Sequence, residues 1–419
     1  MNKLFKNVMG WVDARFPATE TYEYHMSKYY APKNFNFWYF FGVLSMVVLV
    51  NQLVTGIWLT MSYNPSGEGA FDSVEYIMRD VEYGWLLRYM HSTGASAFFV
   101  VVYLHMFRGL LYGSYKKPRE LVWIFGMLIY LCLMAEGFFG YLLPWGNMSY
   151  WGAQVILNLA ATVPFVGADL VTWVRGDFLI SGATLNRFFA LHVVAIPLVL
   201  VALVFMHLVA LHHVGSNNPD GVEIKKNKGP DGVPLDGIPF HPYYTVHDLV
   251  GIVVFLMVFS VVIFFFPDGG GYFLERPNFE PANPLKTPDH IAPVWYYTPF
   301  YAMLRAIPPM FGSAFPGVVV MGAAIAILFV LPWLDRSPVK SIRYKGWMSK
   351  AWLVALVVSF VVLGYLGVVS SSGTTLGINN TVLARILTAV YFLYFLLMPI
   401  YTSIEKCKPV PERVTGGSH

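Results

Sequence analysis

Four histidines lie inside two of the most apolar segments of the chain. His91 and His105 are fourteen residues apart in one segment, and His192 and His207 are fifteen apart in the other. Burying an ionisable side chain in an apolar span is costly, so such residues are functional candidates by default. One histidine of this kind is easily explained by packing, but two pairs at nearly the same interval indicate shared chemistry at two levels.

If both segments are helices, the interval fixes the depth and the direction of each histidine. Fourteen residues advance about 21 Å along a helix and return to within about 40° of the same face. A single span separates the two segments, so they run parallel, and His91 is level with His192 as His105 is with His207. Facing imidazoles are the ligands of a bis-histidine haem, whereas zinc, the main rival metal, prefers four ligands per site. We therefore predict two haem irons, one held by each level pair.

Glycines repeat the same interval in two other segments. Gly42 and Gly56 are fourteen residues apart, as are Gly126 and Gly140. A glycine has no Cβ and lets a flat macrocycle approach a backbone. Helix packing through small residues would explain any one of them. The shared interval favours a four-helix bundle around two stacked haems.

Haem propionates need cationic or hydroxyl partners, and four such side chains lie near the histidines in sequence. They are Arg88 and Arg187 for one haem, and Arg108 and Ser114 for the other. The alternative for the arginines is that their side chains snorkel to the membrane surface.

The composition supplies the elements that would position these residues. Hydrophobic residues make up 56% of the 419 and charged residues 12%, against about 25% charged in soluble domains. With a mean hydropathy of +0.55, we predict an all-α polytopic membrane protein with eight transmembrane helices, the first four forming a bundle around two haems. The predicted spans cover residues 36–62, 84–112, 120–142, 184–212, 245–267, 316–334, 348–369 and 383–403.

The distribution of positive charge predicts the orientation. Eight spans place both termini on one side, and the segments on that side hold 20 of the 28 Lys and Arg residues. Cytoplasmic segments attract this excess, so both termini are expected in the cytoplasm. The opposite side carries three long connections, 63–83, 143–183 and 268–315, and connections of this length are often functional.

Six segments together resemble the cytochrome b family of respiratory bc complexes, and the resemblance covers nearly the whole chain. They include GYLLPWGNMSYWGAQVI and HHVGSNNP, and they span residues 84–115, 140–156, 182–192, 212–219, 240–248 and 287–308. We accordingly divide the chain into a haem-binding domain over 1–215 and a C-terminal membrane domain over 216–419 that completes the quinone sites.

The resemblance implies a quinol–cytochrome c reductase subunit in a bacterial inner membrane. It would hold two non-covalent b-type haems of low and high potential, oxidise ubiquinol on the periplasmic side and reduce quinone on the cytoplasmic side, so contributing to the proton gradient. The implied partners are a Rieske [2Fe-2S] protein, a membrane-anchored c-type cytochrome, a second copy of the chain in a homodimer, and lipids; no nucleic acid is expected.

The resemblance also assigns the quinone sites. The periplasmic pocket would be walled by Pro144, Trp145, Gly146, Gly152, Pro293, Val294, Trp295, Tyr296 and Tyr301. The cytoplasmic pocket would contain His212, Ser216, His247 and Asp248. The family often has lysine where His247 stands, so a cationic proton donor is retained in type. Asp248 has an alternative role as the N-terminal charge of a helix.

One departure from the family concerns proton transfer. The usual Pro-Glu-Trp-Tyr is here Pro293-Val294-Trp295-Tyr296, and valine cannot accept a proton from quinol, so another base must serve. We predict Glu136 as the substitute, because it lies one turn before Gly140 on the same face, and Asp289 as the runner-up, with Tyr296 as a further catalytic residue. The alternative for Glu136 is a structural hydrogen bond to a neighbouring helix.

The second departure is the spacing in the fourth span. The family commonly spaces both histidine pairs by fourteen, and fifteen residues turn about 60° past the starting face. A bulge or bend helped by Pro197 would absorb the difference, and Met206 is the competing ligand at the fourteenth position.

A transporter or channel is the main rival class. It would explain the spans and intramembrane charges but not the histidine and glycine intervals, and a different di-haem quinone oxidoreductase also stays open.

Overall fold

The computed structural model describes residues 3–310 and 312–416, and this part of the chain is mostly helical. Its α-helices are α1 (Lys3–Asp13), α2 (Ala18–Tyr22), α3 (Phe40–Thr60), α4 (Ala70–Arg79), α5 (Gly84–Tyr112), α6 (Glu120–Leu142), α7 (Asn147–Ala161), α8 (Gly167–Arg175), α9 (Gly182–Ala190), α10 (Ile196–Val214), α11 (Thr245–Phe265), α12 (Thr298–Ala306), α13 (Phe315–Phe329), α14 (Leu331–Leu334), α15 (Trp347–Val368), α16 (Asn380–Leu396) and α17 (Met398–Ile404). Two small antiparallel sheets pair β1 (Tyr30–Pro32) with β2 (Gly237–Pro239), and β3 (Thr374–Thr375) with β4 (Ile378–Asn379).

Six helical segments of the described chain are long and apolar enough to cross a membrane, which confirms a multi-pass membrane protein. They are Phe37–Thr60, Gly84–Tyr112, Glu120–Leu142, Gly182–Val214, Phe240–Phe265 and Trp347–Val368. The predicted eighth span is the pair α16 and α17, bent by 54°, which makes a seventh crossing if the pair is one span.

The exact number of eight spans is not confirmed. The predicted sixth span is the short helix α13, which is 15 residues long and therefore about 22 Å. A proline lies just after each of the two helix breaks, the one between α13 and α14 and the one between α16 and α17. These are Pro332 in the first turn of α14 and Pro399 in the first turn of α17. Proline lacks an N–H and cannot continue the ladder of the preceding helix.

The first four spans form a bundle in which α3 packs along α5, and α6 packs along α9 and α10. Helix α9, which follows the connection 143–183, begins at a capping box. The side chain of Ser181 accepts a hydrogen bond from the backbone of Ala183, and Thr184 completes the box. Helix α5 ends at Gly113, whose φ of +64° is the left-handed conformation typical of a helix end. Of the remaining spans, α11 packs on α3 and α5, whereas α13, α15 and α16 pack against the short helix α12.

Ion pairs gather the positively charged connections at one end of the bundle. Lys33 of the N-terminal segment and Arg413 of the C-terminal segment both bind Asp236, at 3.1 and 2.7 Å. Lys116 and Lys345 both bind the buried Asp335, at 3.0 and 2.5 Å. The two terminal segments therefore lie at the same end, where the charge distribution placed them. That this end is cytoplasmic stays a prediction.

Arg119 is the centre of a second buried group at this end. It is 3% exposed, binds Glu223 through two hydrogen bonds of 2.6 and 3.0 Å, and donates to the carbonyl of Gly215 at 2.8 Å. Burial alone would raise the pKa of Glu223, but Arg119 and Lys340 outweigh it and lower that pKa to about 2. The carboxylate therefore stays ionised throughout the neutral range and ties the connection after α10 to the start of α6.

We expect Arg119→Ala to lower the unfolding free energy by about 3 kcal/mol, because it leaves the half-buried carboxylate of Glu223 short of its buried partner. The control is Arg79→Ala, which removes an exposed pair with Glu75 and should cost less than about 1 kcal/mol. Thermal unfolding in a fixed detergent measures both changes. Equal shifts for the two variants would contradict this account of Arg119.

Candidate functional site

The bundle brings the four predicted histidines together as two facing pairs. The ring centroids of His91 and His192 are 6.1 Å apart, and those of His105 and His207 are 6.4 Å apart. A metal–imidazole bond is about 2.0–2.1 Å, so a metal bonded to two opposed rings separates their centroids by about 6 Å. Both pairs therefore have the spacing that one six-coordinate iron between two imidazoles requires, and the donor set fits haem.

Hydrogen bonds to the far ring nitrogens orient one pair. Thr55 Oγ1 lies 3.0 Å from Nδ1 of His91, and the backbone carbonyl oxygen of Glu136 lies 3.1 Å from Nδ1 of His192. A ligating imidazole usually engages its second nitrogen in this way, which fixes the tautomer and the ring plane. In each ring this leaves Nε2 as the nitrogen that could bind a metal.

Each of the four predicted glycines lies against one of the four histidines. The pairs are Gly42 with His105, Gly56 with His91, Gly126 with His207 and Gly140 with His192. A Cβ at Gly140 would come within 2.5 Å of the His192 ring, and a Cβ at Gly56 within 3.1 Å of its partner. The shared interval therefore reflects imidazoles packed against glycine backbones, and the predicted approach of a macrocycle to these glycines stays a prediction.

A π turn over Leu191–Ala195 accommodates the fifteen-residue interval. Such a turn holds one extra residue, so the step from His192 to His207 behaves like a step of fourteen and both rings face their partners. Pro197 follows directly, in the first turn of α10. Met206 is 40% exposed while His207 faces His105, so the competing ligand is not supported.

Arg108 is placed as a partner for an anionic group beside one pair. Its guanidinium lies 4.9 Å from the ring centroid of Tyr39, and Nη2 lies 3.4 Å from Nδ1 of His105. Its Nε is buried and has no hydrogen-bond partner within residues 3–310 and 312–416. A buried unsatisfied donor is expensive, and a propionate would satisfy it.

The other three propionate candidates differ in their surroundings. Arg88 is half-buried on α5, and Ser114 accepts a hydrogen bond from Asn217 at 3.3 Å. Arg187 is exposed, and its guanidinium donates to the backbone carbonyl of Trp173 in the last turn of α8. This contact holds the Arg187 side chain against α8, and its propionate role stays a prediction.

Helix α5 holds the segment Pro293–Tyr296. Tyr296 stacks on Phe99 with centroids 3.8 Å apart, Tyr103 donates to the Tyr296 carbonyl at 2.6 Å, and Trp295 donates to Ser96 at 3.0 Å. Val294 is 4% exposed and belongs to the hydrophobic core. The predicted aromatic wall is therefore fixed to the helix that carries His91.

The connection after α11 covers the predicted wall 144–146. Ala282 N–H donates to the Trp145 carbonyl, and Asn147 N–H donates to the Glu280 carbonyl, both at 2.9 Å. A Cβ at Gly146 would come within 2.4 Å of the backbone of this connection. The other two predicted wall residues make different contacts: Gly152 faces Tyr141, and the ring of Tyr301 lies against the guanidinium of Arg305.

The structure separates the predicted proton acceptors. Glu136 Oε2 lies 2.6 Å from Nδ1 of His192, so this carboxylate contacts a proposed metal ligand, as the structural alternative anticipated. Asp289 is exposed. Sequence reasoning missed Glu275, a half-buried carboxylate that accepts a hydrogen bond from Tyr141 at 2.9 Å. The only sequence signal was its place in the connection 268–315.

The N-terminal segment contacts two of the residues predicted for the cytoplasmic quinone site, which the sequence reasoning did not foresee. Nδ1 of His25 lies 2.7 Å from Nδ1 of His212, and Tyr29 stacks on His212 with centroids 4.5 Å apart. The Tyr29 hydroxyl also lies 2.9 Å from Ser216 Oγ. Pairing of β1 with β2 holds this segment in place.

The other two predicted residues of this site open α11. His247 stacks on Phe40 with centroids 4.3 Å apart, and its Nδ1 lies 3.8 Å from Asp248. All four predicted cytoplasmic residues are thus contacted by aromatic or ionisable neighbours.

Comparisons with known proteins agree over nearly the full chain. The family model described as "Cytochrome b/b6/petB" matches residues 26–215, and that described as "Cytochrome b(C-terminal)/b6/petD" matches residues 281–392. The chain is similar to cytochrome b of Allochromatium vinosum, at 67% identity over 97% of this chain and 98% of the relative. It is also similar to cytochrome b of Rhodospirillum rubrum, at 48% identity over 97% and 96%. A solved chain of a hyperthermophilic respiratory Complex III aligns with a TM-score of 0.85 and 40% identity, over 94% of this chain and 99% of that one.

The glycine contacts lead to a graded prediction. Gly140→Ala should displace the His192 ring and lose b-type haem absorbance, because its Cβ would lie 2.5 Å from that ring. Gly42→Ala is the matched control, since its Cβ would lie at an ordinary 3.5 Å from the His105 ring. Haem content per chain by pyridine haemochrome assay measures both. Equal retention in the two variants would show that Gly140 does not hold the imidazole.

Proposed function

The chain belongs to the cytochrome b family, and on this premise we propose that it oxidises quinol on one side of the membrane and reduces quinone on the other. As the family and the similarity to Complex III establish, it is a membrane electron-transfer subunit of a respiratory bc complex. We further propose that it holds two b-type haems and that its quinone is ubiquinone. Its partners would be a Rieske [2Fe-2S] protein and a c-type cytochrome, in a homodimeric complex of a bacterial inner membrane.

The observation that carries the proposal is the pair of facing histidine sites with centroid distances of 6.1 and 6.4 Å. We propose that His91 and His192 hold one haem and that His105 and His207 hold the other. When bound, the haems would supply one-electron transfer between the two quinone sites. Arg108, with its unsatisfied Nε, would bind a propionate.

The periplasmic quinol site of the proposal lies between the segments 144–146 and 293–296. Both are fixed, one by the connection after α11 and the other by α5. Aromatic and apolar walls with few polar groups suit a quinone ring. Quinol must lose two protons here as well as two electrons, so the site requires proton acceptors near its polar atoms.

The cytoplasmic quinone site of the proposal contains His212, Ser216, His247 and Asp248. Quinone reduction takes up two protons, and this cluster offers donors at short range. The pair of His25 and His212 cannot hold a proton on both facing Nδ1 atoms at 2.7 Å. One ring therefore donates to the other, and we propose that His25 returns a proton to His212.

A reduced-minus-oxidised spectrum of the purified complex tests the haem assignment. We expect two b-type haems per chain, one haem after His207→Leu, and two after Met206→Leu, because His207 faces His105 while Met206 is exposed. Co-purification of a Rieske protein and a c-type cytochrome, with quinol–cytochrome c reductase activity, tests the rest. A single haem per wild-type chain would overturn the assignment.

Substitution of His25 tests the cytoplasmic site separately. We expect His25→Phe to slow electron transfer to quinone on that side by about tenfold, since a proton-transfer partner is lost. The control is His213→Phe, which changes an exposed histidine next to His212. Rates are measured by flash or stopped-flow reoxidation of the haem while the periplasmic site is inhibited. Equal rates in both variants would exclude His25 from proton delivery.

A further inference from the structure

The described part of the periplasmic connection after α11 contains a carboxylate in an unusual position. Glu275 is half-buried, and its Oε2 accepts a hydrogen bond of 2.9 Å from the hydroxyl of Tyr141, near the end of α6. Because a carboxylate offers two oxygens, this bond leaves Oε1 as a further acceptor. Tyr141 also faces Gly152, a predicted wall residue. One oxygen of Glu275 is thus held toward the candidate quinol site, while the residue keeps partial access to solvent.

The segment that follows Glu275 is pinned to the same site. Asn278 Oδ1 accepts a hydrogen bond of 2.9 Å from the Ser149 N–H, and the Glu280 carbonyl accepts one of 2.9 Å from Asn147. An isolated bridge joins Pro281 to Gly146. These contacts fix the backbone over the segment 144–146, so the position of the carboxylate is set by structure and does not depend on a mobile loop.

The opposite wall also lies close to this carboxylate. Tyr296 is near enough to Glu275 to interact with it electrostatically. A Cβ at Gly137 of α6 would come within 3.4 Å of the Tyr296 ring, so the ring lies against the helix that carries Tyr141. Glu275 therefore accepts a hydrogen bond from Tyr141 and interacts electrostatically with Tyr296, whereas Val294 offers no proton acceptor.

We propose that Glu275 is the catalytic base of quinol oxidation, taking a proton directly from one hydroxyl of the bound quinol. The proposal rests on the proposed function of the chain. It replaces Glu136, which contacts His192, and Asp289, which is exposed.

The step balances as follows. The O–H bond of one quinol hydroxyl breaks, and its proton converts the Glu275 carboxylate into a carboxylic acid. The second proton and one electron leave to the Rieske protein, the other electron leaves to the haem that His91 and His192 would hold, and the quinol becomes quinone. Because Glu275 is half-exposed on the outer face, it then releases its proton to solvent on that side.

The surroundings of Glu275 give its carboxyl group a pKa that suits a proton acceptor. Burial raises the pKa of Glu275 to about 7, although the hydrogen bond from Tyr141 lowers it in part. The titratable groups that face it are Tyr141 of α6 and Tyr296 of the opposite wall, and Arg276 beside it in the chain is exposed. A general base is most effective when its pKa lies near the working pH.

The test uses the assembled complex and the variant Glu275→Gln, with Glu280→Gln as the matched control. Glu280 lies in the same connection, but its side chain is exposed and pairs with Lys286. Stopped-flow reduction of the periplasmic-side haem by quinol is followed from pH 5.5 to 9. In the wild type the rate should fall as the pH drops through about 7, because the carboxylate becomes protonated.

We expect Glu275→Gln to reduce the rate at pH 8 by about tenfold or more and to remove the dependence on pH near 7. Glu280→Gln should keep the wild-type rate and profile. Infrared difference spectra provide a second measurement, in which a protonated-carboxyl band that titrates near pH 7 should be absent from Glu275→Gln alone.

The results separate this inference from the proposed function. If the wild-type complex does not oxidise quinol, the proposed function fails. If the wild type is active and Glu275→Gln retains its rate and pH profile, only the inference is overturned. Should Glu275→Gln fail to assemble with both haems, Tyr141→Phe takes its place. Loss of its hydrogen bond should shift the pH dependence of the rate to higher pH, and an unchanged profile overturns the inference equally.

Discussion

Two imidazoles must face each other about 6 Å apart, at two depths of an apolar bundle, and most of the first half of the structure serves this requirement. Helices α5 and α10 carry the rings, while α3 and α6 supply the glycines against which the rings pack. At the His192 level a Cβ on Gly140 would collide with the ring. The helix spacing, the glycine positions and the π turn before α10 are thus consequences of one geometric demand.

The π turn shows how local backbone geometry serves the site. An α-helix would turn His207 away from His105 after fifteen residues. The π turn at Leu191–Ala195 takes up one residue, and the proline at position 197 prevents the regular ladder from reforming across it. π turns of this kind are frequent at functional sites, and here the reason is the alignment of two rings about 20 Å apart along one helix.

The acidic side chains at the two ends of the bundle have different surroundings. At the end where the termini meet, the buried Asp335 and the half-buried Glu223 each pair with two cations and serve as structural anchors between connections. On the opposite side, the described groups that interact with Glu275 include the hydroxyls of Tyr141 and Tyr296, so burial dominates and its pKa rises. Paired acids hold the fold, whereas a carboxyl group whose pKa is raised toward neutrality is suited to proton transfer.

The sequence alone determined the histidine pairs, the glycines that accompany them and the multi-pass helical class, because periodicity and hydropathy are local properties that survive folding. It also indicated that a residue other than Val294 must take a proton. It could not identify Glu275, His25 or Tyr29, since each meets its partner across more than a hundred residues of chain. Nor could it settle the number of spans, because apolar length does not show where a proline breaks a helix into α13 and α14. Which carboxylate is buried beside which hydroxyl depends on tertiary packing, and only the structure decided that.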